Sequence, residues 1–397
     1  MIQITDKSKC CGCWACQNIC PQQCIEMQPD NEGFFYPIVN KESCIECGLC
    51  EKVCPNLKEK LKDITPKNYI VQNKNEQLLR KSTSGGFFSA IAEYVIKNHG
   101  VVFGASFDNN MKLRHCYSTT LENCHQFRGS KYVQSQIENN FKKAKEFLTQ
   151  GKLVVFSGTP CQIAGLKSFL RKEYENLITV DLVCHGVPSP LLLKKYLDYH
   201  SKEKGSRVIS YLSRDKYYGY SYSTASILFD DPNKSYHKGM ESDAMLRLYF
   251  KNICSRPSCY QCHYKTIHRV SDFTIFDCWD AQATSKDFSN KGATNVFIHT
   301  EKGKEIFEKI KKHFIYRTEK IHKIIQRDGI MIKNTVPLNP QRNKFFEDLN
   351  ILPFDQLTNK YLHNSYIKRL LAYIKPILYY LSIFDLYLKF KRSIKKQ

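Results

Sequence analysis

At 397 residues, with 42% apolar and 13% aromatic side chains, the chain is too long for one average domain and too apolar to be disordered, so two or three folded units are expected. The 60 Lys and Arg against 38 Asp and Glu give a formal charge of +22, which suits an acidic partner, a membrane surface, an anionic substrate or simply lysine-rich solvated faces. No zinc finger, RNP-like motif or basic-aromatic array accompanies that charge, so no nucleic-acid partner is expected.

The opening, MIQITDKSKCCG, lacks the apolar core of a secretory signal. A reducing, cytoplasmic setting is therefore expected, where the 18 cysteines are metal ligands or packed thiols rather than disulfides. Residues 10–21 read CCGCWACQNICP, and residues 44–55 read CIECGLCEKVCP. Both place three cysteines two residues apart and a fourth three residues on, before proline, which is the bacterial ferredoxin spacing. Three thiolates in a tight loop each take one corner of a cubane, while the fourth, on the next turn, points to the other cluster. This predicts one 4Fe-4S cluster on Cys10, Cys13, Cys16 and Cys54, and another on Cys44, Cys47, Cys50 and Cys20. Between the runs, two apolar stretches around Asn31-Glu32-Gly33 predict a hairpin. Cys11 and Cys24 fall outside both sets and are expected to be small packed side chains.

Residues 56–68 are charged, carry Pro66 and lack an apolar period, so they read as a linker ending a first unit over 1–57. Next, Ser82-Thr83-Ser84-Gly85-Gly86 precedes a helical pattern of Phe87, Ile91, Tyr94 and Val95, with Ser84 as a candidate N-cap. Two glycines there permit an anion such as a flavin pyrophosphate to approach the helix N-terminus, and a plain capped helix is the other reading. The strongest βα signal is the LVVF run after Lys152, followed by Gly158-Thr159-Pro160, Cys161 and a helix to about Arg171. A second strand, Leu177 to Val183, leads into Cys184. Two strands bracketing one helix should be parallel, which brings Cys161 and Cys184 to one carboxyl edge, where open α/β sheets bind ligands. The CSRPSCYQC segment supplies Cys259 and Cys262, with Cys254 as a reserve ligand. Cys161, Cys184, Cys259 and Cys262 thus form a candidate four-thiolate set for a third 4Fe-4S cluster or, less well, zinc. Cys116, Cys124 and Cys278 are expected to be core thiols.

The ordered motifs KSTSGG, RGSKY, GTPCQIAGL, VDLVCHGVPS, SRDK and SCYQC…SDFTIFDCWD, over roughly residues 5–320, resemble the coenzyme F420 hydrogenase/dehydrogenase beta-subunit family. The likeness is to the branch with a fused N-terminal dicluster ferredoxin, whose members often sit in bacterial surface-polysaccharide gene clusters. The resemblance implies an FAD-binding α/β core over 69–320 with its own 4Fe-4S cluster on Cys161, Cys184, Cys259 and Cys262. It also implies flavin contacts at Ser84, Gly85, Gly86, Gly129, Ser130, Lys131, Tyr132, Thr159, Pro160 and Gln162, with Lys131 as a point charge towards the phosphates or ring carbonyl. Relatives commonly read GDFWG where this chain has Phe276-Asp277-Cys278-Trp279-Asp280. Losing both glycines removes the close backbone approach they allow, so the flavin contact that relatives make here is not carried over to this loop. The family name does not require F420 as substrate here.

The fold class expected is an α+β ferredoxin-like dicluster domain, then an α/β flavin-binding core, then a helical basic-apolar tail over 321–397. The function expected is an oxidoreductase that takes electrons from a redox partner such as ferredoxin through the clusters to FAD and an unidentified organic substrate. The alternative is an electron-transfer subunit serving a separate catalytic partner. His185 is the candidate proton donor beside the flavin, or else orients the VCHG turn. Arg214, Asp215 and Lys216 are either substrate contacts or a solvated loop. From Tyr361 the tail is aromatic, apolar and basic, but its apolar run around Ile377 to Phe384 is too short to span a bilayer. It suits peripheral contact with an anionic inner leaflet through Lys389, Lys391, Arg392, Lys395 and Lys396, or a helix packed on the core.

Overall fold

Apolar runs punctuated by turn residues build the strands of the computed structural model, which describes residues 1–57, 65–362, 366–381 and 383. The hairpin expected near the N-terminus forms from β1 (Ile25–Pro29) and β2 (Phe35–Val39), antiparallel with Ile25 opposite Val39. Asp30 closes its turn by accepting the N–H groups of Glu32 and Phe34, both at 3.0 Å. Gly33 supplies the left-handed step with φ of 83°.

The main sheet comprises β3 (Lys67–Asn73), β4 (Val101–Phe107), β5 (Leu113–Ser118), β6 (Val154–Gly158) and β7 (Leu177–Leu182). A small separate sheet follows, of β8 (Val208–Asp215), β9 (Thr224–Phe229) and β10 (Ser235–Gly239), before β11 (Phe273–Cys278), β12 (Ala293–Ile298) and β13 (Phe314–Arg317) complete the main one. The main order is β13-β3-β12-β11-β7-β6-β4-β5. Strands β4, β6, β7 and β11 are mutually parallel, and β5, β12, β3 and β13 pair antiparallel. Val154, Val155 and Phe156 on β6 are fully buried, the uninterrupted apolar run of a strand covered on both faces. Strand β3 begins at Lys67, inside the stretch read as linker, while residues 58–64 of that stretch lie outside the described residues.

Parallel pairing of β6 with β7, Gly158 opposite Asp181, puts the ends of these strands at one edge. Strand β11 ends there too, as does β3, which is antiparallel to β12 and so runs with β11. The helix after β6 spans Pro160–Leu170 and starts in a capping box between Thr159 and Gln162, with proline at its first position. This edge gathers the loops that carry the chemistry.

The small sheet, order β10-β9-β8, is packed by the helix Pro190–Lys204 and by the tail helices Arg342–Ile351 and Phe354–Tyr361. Phe345, Leu349 and Leu357 are fully buried there, so this part of the tail belongs to the hydrophobic core. Arg342 also clamps the hairpin tip, donating to both Glu32 carboxylate oxygens at 2.9 and 2.6 Å. Unpairing either residue would strand a largely buried charge at a cost of about 3–5 kcal/mol. Lys389, Lys391, Arg392, Lys395 and Lys396 lie outside the described residues.

Candidate functional site

Each predicted thiol set lines its own cavity. Cys10, Cys13, Cys16 and Cys54 line one, with Cys11 and Trp14 beside them. Cys20, Cys44, Cys47 and Cys50 line another, joined by Cys24, whose sulfur is 3.4 Å from that of Cys20. Local backbone geometry explains the grouping. Gly12, Trp14, Glu46 and Gly48 adopt left-handed φ of 66°, 68°, 54° and 69°, coiling each loop so that thiols two residues apart turn inward. The short helices Ala15–Ile19 and Leu49–Lys52 then pack together. Cys20 at the end of the first therefore faces the second loop, and Cys54, two residues past the second, faces the first.

The third cavity is lined by Cys161, Cys184, Cys259 and Cys262, together with Cys11, His185, Tyr264, Lys265 and Arg269. Cys161 sits in the first turn of its helix, Cys184 two residues past β7, and Cys259 and Cys262 on the turn Pro257–Gln261 and its C-cap. Burial pushes the Cys184 thiol up to about 12 and raises those of Cys259 and Cys262. Contact with Cys11, and then burial, raises that of Cys161. Neutral packed thiols of this kind become ligands only by losing protons to a metal. The donor set fits a cubane: four sulfurs, one per corner, with the Val187 N–H 3.5 Å from Cys259 Sγ. Among the described residues no three Cys, His, Asp or Glu side chains close on a single-ion centre. The reserve ligand is misplaced: Cys254 is fully buried in the apolar core and lines none of the three cavities.

A cleft of about 300 Å³ opens at the same sheet edge. Of the predicted flavin contacts, Ser84, Gly86, Gly129, Ser130, Lys131, Tyr132, Thr159 and Gln162 line it. Gly85 stands behind them, where a Cβ would come within 2.3 Å of the Val71 carbonyl, and Pro160 lines the third thiol cavity instead. The N-cap of the helix Phe87–Lys97 is Gly86, with φ of 78°, rather than Ser84. The Ser84 hydroxyl is engaged by Thr294 Oγ1 at 2.8 Å, so an uncapped helix N-terminus faces the cleft, a favourable place for an anion. Lys131 Nζ donates to the carbonyls of Arg128 and Gly129 at 2.7 and 3.2 Å. Burial lowers its pKa to about 7.

His185 occupies the wall between the cleft and the third thiol cavity, both of which also touch Thr159, Cys184, Gly186 and Val187. Its Nε2 donates to Asn252 Oδ1 at 2.7 Å, and burial lowers its pKa, so the neutral ring leaves Nδ1 as an acceptor. Phe276 and Asp277 of the FDCWD loop also line the cleft. Arg214 pairs with Asp277 and lies 4.1 Å over the Trp279 ring. Lys216 donates to the carbonyls of Leu79, Ser84 and Lys291. Arg214 is buried and Lys216 half-buried, and Lys216 ties down the Ser84 loop. Sequence reasoning missed His115, which lines the cleft and is pushed down to about 4 by burial, and Asp181, raised to about 6 by burial. A histidine and an aspartate alternating on strands carry no signal of which face they occupy.

Two cavities lined by ferredoxin-spaced cysteines mark an iron-sulfur electron-transfer protein, with a third cysteine-lined cavity and a largely apolar cleft at the edge of its main sheet. More specifically, residues 9–57 match the 4Fe-4S dicluster domain family, and residues 151–324 match the family described as the C terminus of the coenzyme F420 hydrogenase/dehydrogenase beta subunit. Along the chain the match to the beta-subunit family thus follows the match to the dicluster family. Among solved structures, it is similar to a chain from the F420-reducing [NiFe] hydrogenase complex of Methanosarcina barkeri, at 16% identity over 76% of this chain and 92% of that one, with a TM-score of 0.45. No curated protein matches it.

Proposed function

We propose that the chain is an iron-sulfur flavoprotein oxidoreductase that moves electrons between a partner such as ferredoxin and an organic substrate. Cys10, Cys13, Cys16 and Cys54 hold one 4Fe-4S cluster, Cys44, Cys47, Cys50 and Cys20 the second, and Cys161, Cys184, Cys259 and Cys262 a third. The observation that carries the reading is continuity: Cys11 lines both the first and third thiol cavities, and Cys184 to Val187 line both the third cavity and the cleft. FAD in the cleft would convert one-electron traffic into two-electron chemistry. Ser130 and Lys131 would hold its anionic part, Thr159 and Gln162 would line its site, and His185 would offer a proton acceptor there. Anaerobic preparation tests this. About twelve iron and one FAD per chain are expected, and turnover of an organic acceptor with a low-potential donor separates an enzyme from a carrier. Absence of flavin from a protein with full iron would sink the flavoprotein reading.

Peripheral membrane contact is the second part of the proposal. Along the helix Tyr366–Tyr380 and just beyond, Leu370, Tyr373, Ile377, Tyr380 and Leu381 are exposed at helical spacing, while Lys375 turns to Glu241 of the core. Residues 366–397 hold eight Lys and Arg and a single acid, Asp385, so anionic lipid is favoured over a second, equally basic copy. Among the described residues no helix is long and apolar enough to cross a membrane. Tyr373→Ser with Ile377→Ser should cut co-sedimentation with phosphatidylglycerol vesicles at least fivefold, with no binding to neutral vesicles before or after. Equal sedimentation of both proteins would remove the contact.

A further inference from the structure

Arg256 is fully buried. Its Nε donates to the Cys10 carbonyl at 2.8 Å, Nη1 to Gln134 Oε1 at 3.1 Å, and Nη2 to the Phe35 carbonyl at 3.0 Å, and the guanidinium lies 4.1 Å over the Tyr36 ring. Every one of these acceptors is neutral. A buried guanidinium without a counter-charge is costly, and the groups near it that can become negative are the Tyr36 hydroxyl, whose pKa burial raises, and the sulfurs of Cys10, Cys11 and Cys259. Cys10 belongs to the first thiol cavity and Cys259 to the third. The CCGC loop is shaped to admit the arginine. Gly12 has φ of 66°, and a Cβ there would lie 2.9 Å from Arg256 Nη1 and 2.4 Å from Gln134 Nε2.

We infer that Arg256 is the counter-cation shared by the two clusters that face each other across the junction of the N-terminal module and the core, raising their reduction potentials. The inference rests on the three-cluster reading above. A cubane on four thiolates is negative and gains one more negative charge on reduction, with no proton required. A fixed positive charge between two such groups therefore favours the reduced form of each, and charge and hydrogen bonding are the levers that set these potentials. Arg256 touches no reacting atom of a substrate, so it is a positioning residue, acting on electron affinity.

The test is an EPR-monitored redox titration of the full chain and two variants. Arg256→Met removes the charge. Gln134→Glu keeps the arginine and its hydrogen bond but places a carboxylate against it, cancelling its field with an isosteric side chain. Both should lower the reduction equilibrium constant of at least one flanking cluster tenfold, about 59 mV for a one-electron couple. The cluster on Cys20, Cys44, Cys47 and Cys50 should stay where it was. A wild-type chain with about eight iron would defeat the three-cluster reading itself. Twelve iron in all three proteins with unmoved midpoints would overturn the role of Arg256 alone. Iron loss from Arg256→Met leaves Gln134→Glu to decide, and loss from both overturns the inference, since a packing residue behaves in that way.

Discussion

Serine in place of Cys259 and Cys262 should lower the iron content from about twelve to about eight atoms per chain and leave the two N-terminal clusters spectroscopically intact. The reason is spatial separation of the ligand sets. Every cysteine lining the first two cavities comes from residues 10–54, whereas Cys259 and Cys262 meet Cys161 and Cys184 at the carboxyl edge of the main sheet. Hydroxyls leave the turn Pro257–Gln261 its size and remove the thiolates. Two control substitutions sharpen the result. Cys254→Ser should keep all the iron, because Cys254 packs among Tyr249, Ile253 and Phe345 in the core, and its cost is stability. Cys11→Ser should also keep it, since each cavity that Cys11 lines has four other cysteines. Iron near twelve in the double variant, by ferrozine and sulfide assay, would refute the third site.

How much of this could be read from the chain depends on how locally each feature is encoded. The two four-cysteine runs are complete within twelve residues each, so spacing alone groups their thiols, and the parallel pair β6 and β7 follows from one βα crossover. Half of the third set follows from topology, because strands that end at one edge bring their next residues, Cys161 and Cys184, together, while Cys259 and Cys262 were legible only as a CxxC pair. Features that depend on packing at a distance were not. Ser84 has the residue type of an N-cap, but Thr294, 210 positions away, takes its hydroxyl and leaves Gly86 to start the helix. Cys11 looks like a spare thiol in its own loop and acquires its position only when the N-terminal module docks against the helix carrying Cys161. Arg256, between two cysteines of a polar segment, reads as a surface residue, and its burial follows from the closure of Cys10, Phe35 and Gln134 around it. The tail helices carry Phe345, Phe346 and Leu349 beside Arg342 and Lys344, a pattern equally suited to a solvent-exposed amphipathic tail until the small sheet supplies a surface for it.

Affinity for FAD should weaken as pH rises from about 7 to 9, by up to tenfold per unit, and Lys131→Met should flatten that dependence. Lys131 is half-buried at the cleft, and desolvation lowers its ammonium pKa to about 7 from the ordinary lysine value. Above neutrality the ligand-free chain therefore carries it uncharged. An anionic diphosphate stabilises the ammonium, so binding in this window takes up a proton and loses affinity with each unit of pH. The sign separates this from unfolding. A lysine whose pKa is lower in the folded chain holds its proton more tightly when unfolded, so its contribution to fold stability rises from about pH 7 towards 10, opposite to the predicted fall in binding. Neighbouring groups are separable from it: His115 is pushed down to about 4 and Asp181 titrates near 6, both below the window, and Lys216, also lowered to about 7, is held by the carbonyls of Leu79, Ser84 and Lys291 and stays in place in Lys131→Met. Fluorescence titration of flavin-stripped protein gives the comparison directly. The variant should bind FAD at least tenfold more weakly at pH 7 and converge with the wild type by pH 9. An unchanged slope in Lys131→Met would assign the proton to another group and remove Lys131 from the phosphate site.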